Sequence, residues 1–290
     1  MTGLSFQKVH IEISNICNLQ CSFCPAVVRE KKLMPPALFR RVLEQVAPLA
    51  EQVAFHLMGD PLVHPKLEEL VDIAGEFGTK IFFVTNGVLL REGGAEILLR
   101  PAFRQVNFSL HSFADNFPEK DPGPYLEKIF AFAERALLER PDLYLNFRLW
   151  NLEAPRGVGE KNRDVLRRIE ERFQWKGAAE LDVRRQKSRR VKARLYVHFD
   201  TEFTWPALEL PVLGVTGTCY GLKSHFGVLV DGTVVPCCLD KEGAIPLGNL
   251  ADGAILDILG SARAQAMLKG FRERRLVEKL CQRCQYIARF

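Results

Sequence analysis

The chain has 290 residues, 47% of them hydrophobic and 26% charged, with a formal net charge of +5. That length suits one large domain with a smaller appendage. No apolar run approaches the roughly 20 residues a membrane-spanning helix needs, so no membrane association is expected. Seven basic residues and no acidic one fall in RRQKSRRVKAR, Arg184 to Arg194. Without them the chain is net −2, so its basicity is a local feature rather than a global field. The opening MTGLSFQKVHIEIS lacks a basic segment followed by an apolar core, and the cytoplasm is the expected compartment.

Apolar alternation marks strands, and helical periodicity follows each of them. Lys8–Ser14 alternates with Val9, Ile11 and Ile13 on one face. A helix is predicted from near Pro36 through Phe39, Val42, Leu43 and Val46, since proline suits a first turn. Next come strand Gln52–Met58 with helix Pro65–Phe77, strand Lys80–Thr85 with a short helix near Ala95–Leu99, and strand Gln105–Leu110 with helix Tyr125–Leu138. Strand Leu143–Trp150 leads to helix Asn162–Phe173, and a weaker sixth strand is read near Glu180–Val183. Such alternation implies parallel strands with right-handed crossovers. Eight units close a barrel; six predict an α/β fold, an open partial (β/α)6 TIM-type barrel over residues 1–184. Functional groups are then expected in loops at the C-terminal strand ends.

Past Arg184 the rhythm stops, and residues 185–213 read as a basic linker with one short strand, Leu195–Phe199. Residues 214–290 read as a small α+β domain. HFGVLVDGTVVPCC is a hairpin turning at Asp231-Gly232, followed by a helix over about Ile255–Phe271 and by LCQRCQY.

The eight cysteines form two groups, Cys17, Cys21 and Cys24, then Cys219, Cys237, Cys238, Cys281 and Cys284. Clustering of this kind in a reducing compartment favours metal binding over disulfides. Zinc sites usually complete four protein ligands, and a cubane iron–sulfur cluster commonly takes four thiolates. The Cys-x3-Cys-x2-Cys spacing after the first strand offers three, which leaves an open coordination position where a metal can do chemistry.

At these residues the chain resembles the radical S-adenosylmethionine (radical SAM) enzymes, whose hallmark is CxxxCxxC in the loop after strand one of a partial barrel. The resemblance implies a [4Fe-4S] cluster on Cys17, Cys21 and Cys24 with S-adenosylmethionine on its fourth iron. It implies reductive cleavage to a 5′-deoxyadenosyl radical, which takes a hydrogen atom from a substrate. Phe23 matches an aromatic position near the adenine; packing beneath the loop is the other reading. HLMGDP (His56–Pro61) is similar to the family's GGEP motif, although Met58 and Asp60 replace its first Gly and its Glu. The likeness implies that Met58, Gly59 and Asp60 lie beside the methionine amino group, with Gly59 free to take positive φ. Asn86 in TNG is a ligand candidate and equally a turn signal. Ser109 in SLHS is the candidate for the ribose or carboxylate, with His111 either facing the substrate or structural. Arg148 on a buried strand needs a partner, and both the methionine carboxylate and an internal acid fit that need.

Cys219, the Gly-x4-Cys at Cys237, and CQRC at Cys281 and Cys284 resemble the family's SPASM and twitch auxiliary-cluster modules. A full SPASM pattern has seven cysteines. The five here imply the twitch-like form, with a second [4Fe-4S] cluster on Cys219, Cys237, Cys281 and Cys284. Neighbours on a strand face opposite ways, so Cys238 is expected to be a buried thiol. Full ligation implies electron transfer, hence a two-electron oxidation: dehydrogenation or cross-linking of an alcohol or peptide side chain. Asp240 is a candidate base, with an ion pair as its plainer role. The expected partners are a small-molecule or peptide substrate and a reductant such as flavodoxin or ferredoxin. One alternative is RNA modification, with Arg184–Arg194 tracking phosphates and Phe199, Phe203 and Trp205 stacking bases. The other is a non-catalytic iron–sulfur protein, against which the unfilled iron speaks.

Overall fold

The computed structural model describes residues 4–177 and 182–289. In chain order it forms β1 (Lys8–Ile11), α1 (Pro36–Val46), β2 (Val53–Ala54), α2 (Leu67–Glu76), β3 (Ile81–Thr85), α3 (Glu92–Leu98) and β4 (Phe103–Ser109). Then follow α4 (His111–Asn116), α5 (Gly123–Glu139), β5 (Tyr144–Leu152), α6 (Arg163–Phe173), β6 (Ser188–Lys192) and β7 (Leu195–Thr201). The chain closes with β8 (His225–Val228), β9 (Thr233–Val235), β10 (Gly248–Asn249), α7 (Ile255–Gly260) and α8 (Ala262–Arg272). The strand–helix alternation of the partial (β/α)6 barrel runs through β1 to β5 and ends on β7.

Contacts group the chain into two compact units. The first comprises Met1–Cys17, Cys24–Ile81 and Phe203–Phe290. Here β1 pairs in parallel with β2, Val9 opposite Val53, and in parallel with β8, Lys8 opposite His225 through Ile11 opposite Val228. β9 and β10 continue antiparallel. The C-terminal hairpin thus builds directly onto the strand that precedes the first cysteines. With neighbours on both edges, β1 buries Val9 and Ile11 completely. α1 starts on Pro36 at its first turn and buries Phe39, Val42, Leu43 and Val46, a stripe at helical spacing. β2 is shorter than Gln52–Met58: beyond Ala54, Leu57 and Met58 turn into a cluster with Leu229 and Val235, leaving the ladder. The predicted hairpin turn is present, with Gly232 at φ +89° and the Thr233 N–H donating to Asp231 Oδ1 (3.0 Å). The single helix expected over Ile255–Phe271 is two, because Ser261 takes an extended conformation and caps α8, its Oγ accepting from the Ala264 N–H (3.3 Å).

The second unit comprises Asn18–Phe23 and Phe82–Glu202, with strand order β3-β4-β5-β7-β6. β4, β5 and β7 run parallel; β6 returns antiparallel to β7. Its core is aromatic: Phe108, Phe130, Phe147 and Phe173 meet at centroid distances of 5.4–6.4 Å. The stretch expected as a basic linker contains β6 and β7. Leu195, Val197 and Phe199 are fully buried, and β7 occupies the sixth parallel position, pairing with β5 from Leu145–Leu195 onward. Seven cations masked the alternation of β6, whose place at the end of the strand order suits charged side chains. The weaker strand near Glu180–Val183 falls partly outside the described residues; within them, Asp182 forms an isolated bridge with Arg156.

Candidate functional site

The cysteine loop leaves β1 through a pinned neck in the first unit. Ser14 bridges Leu33, and the Met34 N–H donates to the Ile13 carbonyl (2.9 Å). The Asn15 side chain donates to the Glu30 carbonyl (2.8 Å) and accepts from the Lys32 N–H (2.7 Å). Cys17 and Cys24 are exposed, whereas Cys21 is buried.

Beside the neck sits a hub that sequence reading missed. Glu12, wholly buried, accepts two bonds from the Arg29 guanidinium (2.9 and 3.0 Å) and one each from the N–H groups of Met58 (3.3 Å) and Val230 (3.1 Å). Burial raises its pKa above the ordinary carboxylate value, and Arg29 and the two amides oppose that shift. Arg29 also donates to the Lys241 carbonyl (2.7 Å), and Glu242 accepts from the N–H groups of Val28 and Arg29 (both 3.2 Å). The Lys241 ammonium donates to the Ala26 carbonyl (2.9 Å). The segment just after Cys24 is therefore bound to the loop just after Cys238. Nothing local marked Glu12, which falls on the polar side of the Lys8–Ser14 alternation beside Lys8 and His10.

The GGEP-like segment serves this neck. Gly59 has φ +72°, and a Cβ there would lie 2.5 Å from the Ser14 carbonyl oxygen and 2.7 Å from that of Ile16. What needs the missing side chain is close approach to the backbone preceding Cys17. The Met58 side chain packs in the apolar cluster with Leu57, Leu229 and Val235. Asp60 Oδ1 accepts from the Leu62 N–H (2.9 Å), opening a short 3-10 turn.

In the second unit Asn86 donates to Asn18 Oδ1 (2.9 Å) and accepts from the Val88 N–H (2.9 Å), so it positions cysteine-loop backbone and its own turn together. The C-terminal end of α4 grips the same loop. Asp115 accepts from the Ser22 N–H (2.7 Å) and hydroxyl (2.6 Å), and Asn116 Oδ1 accepts from the Gln20 N–H (2.8 Å). Phe23 packs on His111 with ring centroids 4.7 Å apart. His111 Nδ1–H donates to the Arg148 carbonyl (3.0 Å), and burial lowers its pKa to about 4. Ser109 ends β4 in register with Arg148 on β5. The Arg148 guanidinium lies over Trp150 (4.2 Å to the ring centroid) and Phe82 (5.7 Å). Trp150 Nε1–H donates to His198 Nδ1 (3.0 Å), and burial, aided by the Arg148 charge, lowers His198 to about 4. Trp150 and His198 were not singled out in the sequence, where neither belongs to a motif.

The C-terminal thiols converge in the first unit. Burial pushes Cys237 well above the ordinary thiol value, and the charges of Cys238, Cys281 and Cys219 push it further. Cys281 is raised by burial and then by Cys219 and Cys284; Cys284 is raised by burial and by Cys219. Such thiols stay neutral while protonated, and as thiolates they would repel one another unless a metal centre took their protons' place; the donor set fits an iron–sulfur cluster. Cys238 also feels Cys219 and Cys284, but it packs against the Leu57, Met58, Leu229 and Val235 cluster, and burial raises it to about 11. Asp240, buried, accepts from the N–H groups of Ala244 (2.7 Å) and Ile245 (2.8 Å). Its two oxygens organise the loop after Cys237. Among the described residues, no group of three His, Cys, Asp or Glu side chains is arranged around a point to hold a single ion; a cubane spreads its thiolates over separate irons.

Several cations of the basic run have local partners. Arg184 pairs with Asp182 (3.0 Å) and Lys187 with Asp200 (2.8 Å), while Arg190 lies over Tyr196 and Arg194 over Tyr144. No helix among the described residues is long and apolar enough to cross a membrane.

Comparison with known proteins agrees with this geometry. Residues 11–142 match the family model of the radical SAM superfamily, and residues 219–285 match SPASM, an iron–sulfur cluster-binding domain. The S-adenosyl-L-methionine-dependent 2-deoxy-scyllo-inosamine dehydrogenase of Niallia circulans is 28% identical over 151 residues, 49% of this chain and 59% of the dehydrogenase. The chain thus matches a little over half the length of that relative. The crystal structure of BtrN in complex with AdoMet and 2-DOIA shares the fold, with TM-score 0.59 and 18% identity over 97% of this chain and 93% of that one. Streptococcus suis SuiB bound to precursor peptide SuiA gives TM-score 0.64 and 15% identity over 98% of this chain and 72% of that one. Motif, fold and both matched models agree: the chain carries a radical SAM domain over residues 11–142 and a SPASM iron–sulfur cluster-binding domain over residues 219–285.

Proposed function

We propose that the protein is a radical SAM oxidoreductase that removes a hydrogen atom and then a second electron from a small-molecule or peptide substrate. The observation that carries this reading is the Glu12–Arg29–Lys241–Glu242 network, which joins the segment behind a three-cysteine loop to the loop behind a four-thiol site. An incompletely liganded centre suits bond cleavage, and a fully liganded one suits electron transfer. Cys17, Cys21 and Cys24 would hold the first cluster, and Cys219, Cys237, Cys281 and Cys284 the second. When bound, these clusters and S-adenosylmethionine supply a hydrogen-abstracting carbon radical and an acceptor for the second electron.

The chain's own residues supply position and proton transfer. Phe23, braced on His111, offers a ring face at the cysteine loop. His111 gives its Nδ1–H to the Arg148 carbonyl, so the neutral imidazole presents Nε2 as an acceptor for a substrate proton. It fits the base role better than Asp240, whose oxygens both hold backbone amides. The dehydrogenase relative and the peptide-bound neighbour support the two substrate classes. Free cysteines suit a reducing compartment, the cytoplasm, with a flavodoxin- or ferredoxin-type reductant. The test is anaerobic incubation of cluster-loaded protein with S-adenosylmethionine and dithionite. The protein releases 5′-deoxyadenosine and the Cys24→Ala variant does not; equal release from both would overturn the reading.

A further inference from the structure

Asn116 does more than grip the cysteine loop. Its Nδ2 lies 3.1 Å from the Sγ of Cys21 and donates to it, while the same NH2 donates to the Ser112 carbonyl (2.9 Å) one turn back. The Gln20 N–H donating to Oδ1 (2.8 Å) settles which end of the amide is which, because the flipped amide would set N–H against N–H. Three bonds therefore fix the rotamer and aim a donor at one sulfur. Cys21 is also the buried member of the triad, where a hydrogen bond is least diluted by water. Asp115, one residue earlier, takes both the N–H and the hydroxyl of Ser22, so the loop cannot drift from that donor without breaking two further bonds.

We propose that Asn116 is a positioning and tuning residue for the cluster held by Cys21, setting its reduction potential through the Nδ2–H···Sγ bond. This rests on the reading that Cys17, Cys21 and Cys24 carry a cluster. One-electron reduction adds a negative charge that is shared onto the thiolate sulfurs, without making or breaking a bond. A donor at Sγ stabilises the reduced form more than the oxidised one, and so raises the potential. Asn116 thereby makes the first cluster easier to reduce by a physiological donor, without touching substrate.

The experiment is a redox titration of the anaerobically reconstituted full-length protein, followed by electron paramagnetic resonance, with iron quantified on each sample. Asn116→Asp keeps an oxygen to accept from Gln20 but replaces the donor with an anion. It is expected to shift the reduction equilibrium of one cluster about tenfold toward the oxidised form, which is about 59 mV for a one-electron couple. Asn116→Ala, which removes the donor without adding charge, shifts it the same way by less. Ser22→Ala, which loosens the loop but leaves the sulfur bond, is expected to stay within about twofold of the parent. If Asn116→Asp retains its iron and titrates with the parent, or if Ser22→Ala shifts as far as Asn116→Asp, the tuning role is overturned. If the parent itself lacks the first cluster, the underlying reading falls and the inference falls with it.

Discussion

Replacing Glu12 with alanine isolates the hub on which both cysteine loops lean. The side chain is completely buried, and its partner Arg29 keeps 17% of its side chain exposed. Truncation leaves a largely buried guanidinium without its hydrogen-bonded carboxylate, with Glu242 still 3.9 Å away, and removing one member of such a pair costs roughly 3–5 kcal/mol. The Met58 and Val230 amides lose an acceptor as well. With unfolding entropy scaling at about 2.1 cal/mol/K per residue, that loss lowers Tm by roughly 5 to 8 °C for a chain of this length. The control is Arg40–Glu76, a two-bond pair whose side chains are 42% and 54% exposed; Glu76→Ala should cost about 0.2–1 kcal/mol. Thermal and urea melts of both variants, with Arg29→Ala and the double mutant completing a cycle, give the comparison. The coupling should reach about 0.5–3 kcal/mol. A Glu12→Ala protein as stable as Glu76→Ala would refute the hub.

Other outcomes follow from the same geometry. Gly59→Ala forces a Cβ against the Ser14 and Ile16 carbonyls at a positive φ worth about 1–3 kcal/mol of strain, and it should sharply reduce iron uptake on reconstitution, read by colorimetric iron assay. Cys237→Ala should lose about half of the iron while Cys238→Ala keeps it and loses only about 1 kcal/mol of packing; the reverse pattern would move the ligand to Cys238. His111 and His198 have folded pKa values near 4 against 6.5 for the free side chain. The unfolded chain therefore binds these protons first, so stability is full above pH 6.5 and is lost as pH falls from 6.5 toward 4. Each contributes up to about 3 kcal/mol. Urea midpoints of the His198→Gln variant across that range should show a shallower acid loss than the parent; an unchanged slope would remove His198 from the account.

The parts legible in the sequence were those with strong local signals. Three thiols in eight positions, Asp231-Gly232 between apolar runs, and the Phe39–Val46 stripe each announce their role without tertiary context. Glu12 was invisible because its partners, Arg29, Met58 and Val230, are brought together only when β8 pairs with β1. The same non-local pairing brings Leu229 and Val235 against the Met58 side chain, whereas the Asp60 side chain is held by a local turn bond from the Leu62 N–H. β7 was undervalued because the cations of β6 preceding it broke the apparent rhythm, although Leu195, Val197 and Phe199 alternate perfectly well. α4 escaped notice because six residues carry too little periodicity to register. Yet it holds His111, Asp115 and Asn116, all of which bear on the cysteine loop.

The central claim is that the chain carries two four-iron clusters, one with a corner left open by protein. Iron, sulfide and zinc measured on anaerobically reconstituted protein, with Mössbauer spectra recorded before and after adding S-adenosylmethionine, test it most directly. Two such clusters predict about eight irons per chain and one iron whose signal moves when S-adenosylmethionine is added. About four irons, stoichiometric zinc, or spectra indifferent to S-adenosylmethionine would contradict it.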